Sequence, residues 1–433
     1  MRRPVGNSLF RACPVGIVIA AVIVAAVPGF AQTLAAPERV TFEEAVRRAV
    51  EKNPGVAEAA QAILRAEALL QQVNTVHRPT LSATITTTVL DEARGFNGLV
   101  TQPRTQSLLG ASVSYPILAA SRWAQRAQTE DQIRVARLSV TETRRQIALA
   151  AAQAYLGVIA QQRQVEVNTR ARENAIAHVD YARARLQGGA GSRLNELRAA
   201  QELESDEVLL ESARLALRRA QEALGVLMAA DAPVDATNEP VLEVATVPTD
   251  SSWLTTRPDV QLFSAQINAA NRVYVDSWRD WVPTATASFE PQWLTPRGLF
   301  SPSTTWRGLV SLSMPIFDGG ERRATQRARE IAVETARIQL TDVELRARSE
   351  LRTAQAAVES SDRGSQHARL AAQHAAEVLK ITDVAFRAGA TTNIELIDAQ
   401  RRARDADTAA AQAEDRVRQA RLDLLVALGR FPQ

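Results

Sequence analysis

The chain has 433 residues, of which 46% are hydrophobic but only 5% aromatic, too few rings for the two or three globular cores its length would ordinarily hold. Its formal charge is +3, and Arg2, Arg3 and Arg11 sit in an N-terminal stretch without acids, so the rest sums to +3 − 3 = 0 and lacks the basic surplus of a nucleic-acid binder. The only cysteine, Cys13, lies in that same stretch, which leaves no disulfide or thiol chemistry beyond it.

Residues 1–31 read as a secretory signal peptide: three arginines, the apolar run Ile17 to Val27, then small residues for cleavage at Gly29-Phe30-Ala31. The run is about 11 residues long, short of the ~20 that span a bilayer, and no later segment is long and apolar enough. Entry into a membrane would therefore not be by helices. A lipid anchor would need a cysteine after the apolar run, and Cys13 precedes it.

Thr41 and Glu44 have the spacing of a capping box, and Asn53-Pro54 interrupts the helix they open. A helix is expected from Val56 to His77, stopped by Arg78-Pro79. Thr80 to Leu90 then alternates, with Leu81, Ala83, Ile85 and Val89 on one face and Ser82, Thr84, Thr86 and Thr88 on the other. After a loop rich in Gly, Asn and Pro (Asp91 to Thr105), Gln106 to Leu118 alternates again and completes a β-hairpin over about 79–118. No proline occurs between Pro116 and Pro233, a gap of 233 − 116 − 1 = 116 residues. Ser121 to Gln187 would form a helix ~100 Å long at 1.5 Å per residue. Gln187, Gly188, Gly189 and Ser192 supply a tip turn, the chain returns to about Met228, and 231–250 reads as a Pro/Thr/Val linker.

Residues 251–433 repeat the plan of 32–230. Pro258 and Pro283 lie 204 residues after Pro54 and Pro79, and Ser313-Met314-Pro315-Ile316-Phe317 echoes Ser114-Tyr115-Pro116-Ile117-Leu118. A helix from Val260 to about Trp281 precedes a second β-hairpin over about 283–317, with strands Thr284 to Trp293 and Trp306 to Ile316. From Pro315 to Pro432 the gap is again 432 − 315 − 1 = 116 residues, with a second tip at Arg387, Gly389 and Thr392. The fold class expected is mainly α with a small β part, a duplicated unit of long α-helical hairpins (about 120–230 and 319–430) plus two β-hairpins.

Four strands cannot close on themselves, and lipid does not tolerate open edges, so in a membrane several copies must share one barrel. Barrels begin at about eight strands; a dimer would supply eight and a trimer twelve. Trp293 and Trp306, with Trp278 and Trp281, stand at strand ends as an aromatic belt would. A soluble antiparallel sheet with one exposed face produces the same alternation, and long hairpins in an exported chain equally fit a soluble periplasmic coiled-coil adaptor or scaffold.

As a set, several motifs resemble the TolC-type outer membrane efflux family. They are Phe386-Arg387-Ala388-Gly389 with Ile394-Glu395-Leu396-Ile397-Asp398-Ala399-Gln400-Arg401, Arg257-Pro258-Asp259-Val260, the pairs Pro116-Ile117 and Pro315-Ile316, and Phe317-Asp318-Gly319-Gly320. The resemblance covers essentially the whole chain after the signal. It implies a homotrimer in the outer membrane, with a 12-stranded barrel and a 12-helix periplasmic tunnel. It also implies tips that meet a periplasmic adaptor and, through it, an inner-membrane transporter.

On the same resemblance an acidic periplasmic constriction maps to Glu395 and Asp398, although acids in a first helical turn also simply complement the helix dipole. Adaptor contact maps to the tip turns. The inter-helix latch maps to Phe386, Thr391 and Asn195, where the family commonly has tyrosine, a basic residue and an acid; Arg387, Arg193 or Arg198 could substitute. No catalytic constellation, cofactor motif or metal-ligand spacing stands out: His367 and His374 are seven apart, and Gly188-Gly189-Ala190-Gly191 lacks the Lys-Ser/Thr of a phosphate loop. An enzyme is not expected.

Overall fold

The computed structural model describes residues 37–243, 252–297, 299 and 301–431. The expected signal peptide and residues 244–250 of the expected linker lie outside the described residues.

Strand β1 (Glu38–Val40) leads into α1 (Phe42–Lys52), whose N-cap Thr41 accepts from the Glu44 amide at 3.3 Å. Asn53 ends α1 and, with Pro54 fixing the first turn, caps α2 (Pro54–Asn74). A 3₁₀ turn over 75–77 follows, and then β2 (Thr80–Val89). The expected loop contains a small hairpin of its own, β3 (Arg94–Phe96) and β4 (Leu99–Gln102). It turns on Asn97 and Gly98, both at positive φ (51° and 81°), the conformation a two-residue hairpin turn needs. β5 (Thr105–Leu118) runs into α3 (Ala120–Gln187), and α4 (Arg193–Leu227) returns.

The stretch read as a linker also carries structure: β6 (Val234–Ala236) pairs in parallel with β1, Glu38 opposite Val234. The second half holds α5 (Ser252–Thr256), α6 (Pro258–Val275), β7 (Thr284–Thr295), β8 (Thr304–Ser313), α7 (Glu321–Arg387) and α8 (Asn393–Ala427). The expected helix to Trp281 tightens into a 3₁₀ segment from Asp276. β8 stops at Ser313 rather than Ile316, its last residue paired with β7 being Ser313 opposite Thr284.

β2, β5, β7 and β8 form one antiparallel sheet in that order. The register brings Leu81 opposite Val113, Ile85 opposite Leu109, Val113 opposite Phe289, Leu109 opposite Trp293 and Ala287 opposite Val310. One face is therefore apolar across all four strands and exposed, with Leu81 at 75%, Ile85 at 72% and Val310 at 70%. The other face carries mainly Ser, Thr, Gln and the pair Arg307–Glu290. Trp293 and Trp306 stand on the apolar face, Trp306 5.8 Å from the Phe289 ring, while Trp278 and Trp281 are exposed just before β7. Among the described residues no helix is long and apolar enough to cross a membrane.

The long helices have nearly equal counterparts: α3 and α7 have 68 and 67 residues, α4 and α8 both 35. At 1.5 Å per residue the long members extend ~100 Å from the sheet, and the shorter ones return about half that distance. The main core lies at this half-way level. Ala148, Ala151, Ala152, Tyr155 and Leu156 of α3 pack there with Phe42, Ala45 and Ala49 of α1, Leu224 of α4 and Leu422 of α8. The rings of Phe42, Tyr155 and Phe431 meet there. A second cluster occupies the same level of the other hairpin, around Trp253, Val260, Leu351 and Leu424.

The carbonyls at the ends of α4 and α8 are closed by matching side chains. Asn53 Nδ2 donates to Leu227 O at 2.9 Å, and Arg257 Nη1 donates to Ala427 O at 3.1 Å. Arg257, only 4% exposed, also holds Asp259 at 2.7 Å and Glu350 of α7 at 2.9 Å.

Candidate functional site at the hairpin tips

Both tips turn by the same backbone hydrogen bonds. Gly189 N donates to Leu186 O and Gly389 N to Phe386 O, each at 3.0 Å, with φ of 72° and 80° at the glycines. This left-handed residue after the helix lets the chain reverse within five residues. Ser192 and Thr392 then cap α4 and α8, accepting from the amides of Asn195 at 3.2 Å and Glu395 at 3.3 Å.

The two caps differ in charge. At the second tip the Glu395 carboxylate accepts from the Thr392 amide at 2.9 Å and from the Thr391 hydroxyl, which completes a capping box. The Thr391 hydroxyl, followed by the Thr392 amide, holds the Glu395 carboxyl below its usual range. Asn195, at the corresponding place of the first tip, has no charge to offer. Asp398 pairs with Arg402 one turn on at 3.0 Å. Glu395 and Asp398 are both exposed on α8, while Asn393, Leu396, Ile397 and Ala399 are buried.

Of the residues assigned to a latch, Phe386 is buried, edge-on to the rings of His178 and Tyr181 of α3, each at 5.6 Å. Thr391, in the tip turn, is engaged with Glu395 of the helix that follows. Asn195 reaches the other hairpin only through its carbonyl, which accepts from Asn393 Nδ2 at 3.5 Å. Arg193 pairs with Glu196 in its own first turn, and Arg387 pairs with Asp383 at 2.9 Å while its carbonyl accepts from the Tyr181 hydroxyl at 3.4 Å.

The hairpins are joined mainly by side chains that the sequence reading did not single out. His178, 5% exposed, sits 2.7 Å from Asn393 Oδ1 and 3.3 Å from Gln400 Oε1 of α8. Farther along, Glu202 and Asp206 of α4 are buried at 3% and 5% exposure and meet two arginines of α8. Arg401 Nε donates to Glu202 at 2.8 Å, and Arg404 Nη1 donates to Asp206 at 2.6 Å and lies 3.6 Å from Glu202. Two acids four residues apart repel on a lone helix, so the pairing of α4 with α8 is what makes them tolerable. Burial pushes the Asp206 carboxyl up, and Arg404 offsets this only in part. A legible signal existed: an acid pair on one helix face, with arginines about 200 residues later at the matching depth of the second hairpin. Beside these contacts α3, α7 and α8 line an open pocket of about 220 Å³, whose polar members are Asn174, His178, Tyr181, Lys380, Asp383, Arg387 and Gln400.

A four-stranded sheet with a lipid-compatible face, carried on ~100 Å helical hairpins that end in charged, capped tips, is the architecture expected of a β-type membrane protein with a long helical extension. The chain belongs to the outer membrane efflux protein family, whose sequence pattern matches residues 45–230 and 251–430, and it is accordingly an outer-membrane channel protein rather than an enzyme. It is 28% identical over 184 residues to the outer membrane protein OprJ of Pseudomonas aeruginosa, a match covering 42% of this chain and 38% of that protein. The matched stretch thus spans about two fifths of the length of that relative. The fold is similar to that of CusC, with a TM-score of 0.78 and 16% identity over 90% of this chain and 92% of that one. It is also similar to the CmeC outer membrane channel of Campylobacter jejuni, with a TM-score of 0.76 and 16% identity over 90% of this chain and 85% of that one.

Proposed function

We propose that three copies of this chain form one 12-stranded barrel and a 12-helix periplasmic tunnel, the exit duct of a tripartite efflux or type I secretion system. Substrate handed over by an inner-membrane transporter would pass through it passively, with a periplasmic adaptor docked at the tips. The observation that carries this reading is the sheet: one face is apolar and exposed across four strands, and its outer strands β2 and β8 each leave their outward edge without a partner among the described residues. Such a sheet is tolerable in lipid only when other copies close it. A soluble scaffold would have no use for that face. The equal hairpin lengths and matching helix-end caps favour an internal duplication, residues 32–230 and 251–433 about a linker at 231–250.

At the far end, Glu395 and Asp398 of three copies would supply six carboxylates around the pore, a ring that favours cations. Their exposure on α8 is consistent with this. Gln187, Gly188, Gly189 and Ser192, with Arg387, Gly389 and Thr392 and the cavity beside them, form the surface for an adaptor. Trp293 and Trp306 would stand in the aromatic belt. Single-channel recording in planar bilayers tests the reading by comparing wild type with Glu395→Ala/Asp398→Ala. Small cation-selective currents that grow and lose selectivity in the double variant are expected. Unchanged conductance would move the constriction elsewhere, and a protein that never inserts and stays soluble would return the case to a scaffold.

A further inference from the structure

On the side of the sheet that carries the long hairpins, the chain crosses between helix and strand four times, and each crossing presents an arginine. Arg78 lies just before β2, Arg122 in the first turn of α3, Arg279 in the 3₁₀ segment before β7, and Arg322 and Arg323 at the start of α7. Two of them stand over indole rings, Arg279 Cζ 5.5 Å from the Trp278 ring and Arg322 Cζ 4.6 Å from the Trp281 ring. Both rings are open to the outside, Trp278 at 58% and Trp281 at 41% exposure.

Most acids of these crossings are already occupied. Asp276 lies 3.3 Å from Arg279, Asp280 2.8 Å from Arg329 and Asp318 2.6 Å from Arg322. Arg78, Arg122 and Arg323 are exposed and have no ion pair among the described residues, with Glu321 the one acid left beside them. The height of the sheet sets where this rim stands in a membrane. Ten residues of β2 at ~3.3 Å each, tilted by ~40° as barrel strands are, rise ~25 Å, the height of the apolar band of an outer-membrane barrel. The crossings at its end therefore fall at the depth of lipid phosphates, on the periplasmic side because the long helices lie there.

We infer that the crossings form a collar that binds the phosphate groups of anionic phospholipid in the periplasmic leaflet, in preference to zwitterionic lipid. A guanidinium donates two parallel N–H bonds to one phosphate, and an indole beside it packs on the glycerol and upper acyl chain. A soluble anion would use the guanidinium alone; the exposed indoles add an apolar surface that lipid meets. At the opposite rim, around Asp91, Glu92, Arg94, Arg104 and Arg297, no arginine stands over a ring among the described residues. The inference rests on the sheet lying in the outer membrane and not on the number of copies that share it.

Brominated lipid, which quenches indole fluorescence on contact, tests it. Trp293→Phe/Trp306→Phe leaves Trp278 and Trp281 as the exposed indoles. With this full-length protein in phosphatidylcholine vesicles, brominated phosphatidylglycerol should be preferred over brominated phosphatidylcholine by about fivefold. Adding Arg78→Gln/Arg122→Gln/Arg323→Gln should bring the ratio close to one, whereas Arg78→Lys/Arg122→Lys/Arg323→Lys should keep most of it. Arg94→Gln/Arg104→Gln/Arg297→Gln at the opposite rim should leave it unchanged, and millimolar inorganic phosphate should not compete. Should the glutamine variant not reconstitute, salt decides in its place: ~1 M NaCl should lower the ratio toward one in the protein that keeps its arginines. Equal quenching by the two lipids, or a preference that survives loss of the arginines or salt, overturns the collar. Competition by inorganic phosphate would make it a site for a free anion and overturn the lipid assignment.

Discussion

The charged cluster between α4 and α8 allows two neighbouring arginines to be ranked before measurement. The Arg404 side chain is 14% exposed and its partner Asp206 6%, so Arg404→Ala leaves a buried carboxylate without its cation. Breaking a buried pair from one side costs ~3 kcal/mol or more, equivalent to ~100-fold in a local opening equilibrium. Arg401 is 51% exposed, and its partner Glu202 keeps Arg404 at 3.6 Å when Arg401 is removed. Solvent screening and this second cation bring Arg401→Ala down to ~1 kcal/mol, about fivefold. Amide hydrogen exchange of 193–210 and 393–410, read by mass spectrometry on the detergent-extracted protein, measures both openings. Equal effects, or a larger one for Arg401→Ala, would refute the assignment of Arg404 as the buried member of the cluster. Removing Asp206 together with Arg404 should recover part of the loss, since no orphaned charge then remains.

Other expectations follow from the same contacts. Burial raises the Asp206 carboxyl above its usual range, so the docked hairpins bind its proton more tightly than separated ones, and its cost to docking is relieved as pH falls through the raised value. Glu395 has the opposite sign: its lowered carboxyl stabilises the second tip above the ordinary range, and that support is lost as pH falls through the depressed value. Exchange protection at the tips should therefore rise on mild acidification and then fall, and Asp206→Asn should abolish only the rise. Gly389→Ala puts a Cβ at φ 80° and should weaken the second tip by ~1 kcal/mol, with Gly389→Asn milder, both read by the same exchange measurement. Arg257→Ala removes the cation held by Asp259, Glu350 and Ala427 O, and should lower thermal stability by ~3 kcal/mol; Arg257→Lys should rescue little, because an ammonium lacks the planar fork.

The elements legible in the sequence were those with a long period or a hard stop. The 116-residue proline-free gaps gave the helices of both long hairpins to within about three residues, and Pro79 and Pro283 fixed where helix yields to strand. The pairing of β1 with β6 was not legible, because three-residue strands joined in parallel across almost 200 positions leave no local period. The β3–β4 hairpin was missed for a different reason: Asn97-Gly98 was read as loop composition although that dipeptide is a hairpin turn signal. At the tips, turns and caps follow from glycine and hydroxyl positions. The contacts joining the hairpins depend on which faces of α3, α4, α7 and α8 meet, and His178 and Asp206 became visible only once the helices were placed.

The side-chain caps on α4 and α8 have a mechanical consequence. With Leu227 O and Ala427 O held at the half-way level, each return helix together with the outgoing helix it packs along forms an arm, about 52 Å long for 35 residues. A swing of about 10° at such a fulcrum carries the tip about 9 Å, farther than any ion pair reaches. The contacts at Glu202 and Asp206 lie well out along that arm, so a small adjustment around Asn53 and Arg257 would part them completely while scarcely disturbing the core beside it.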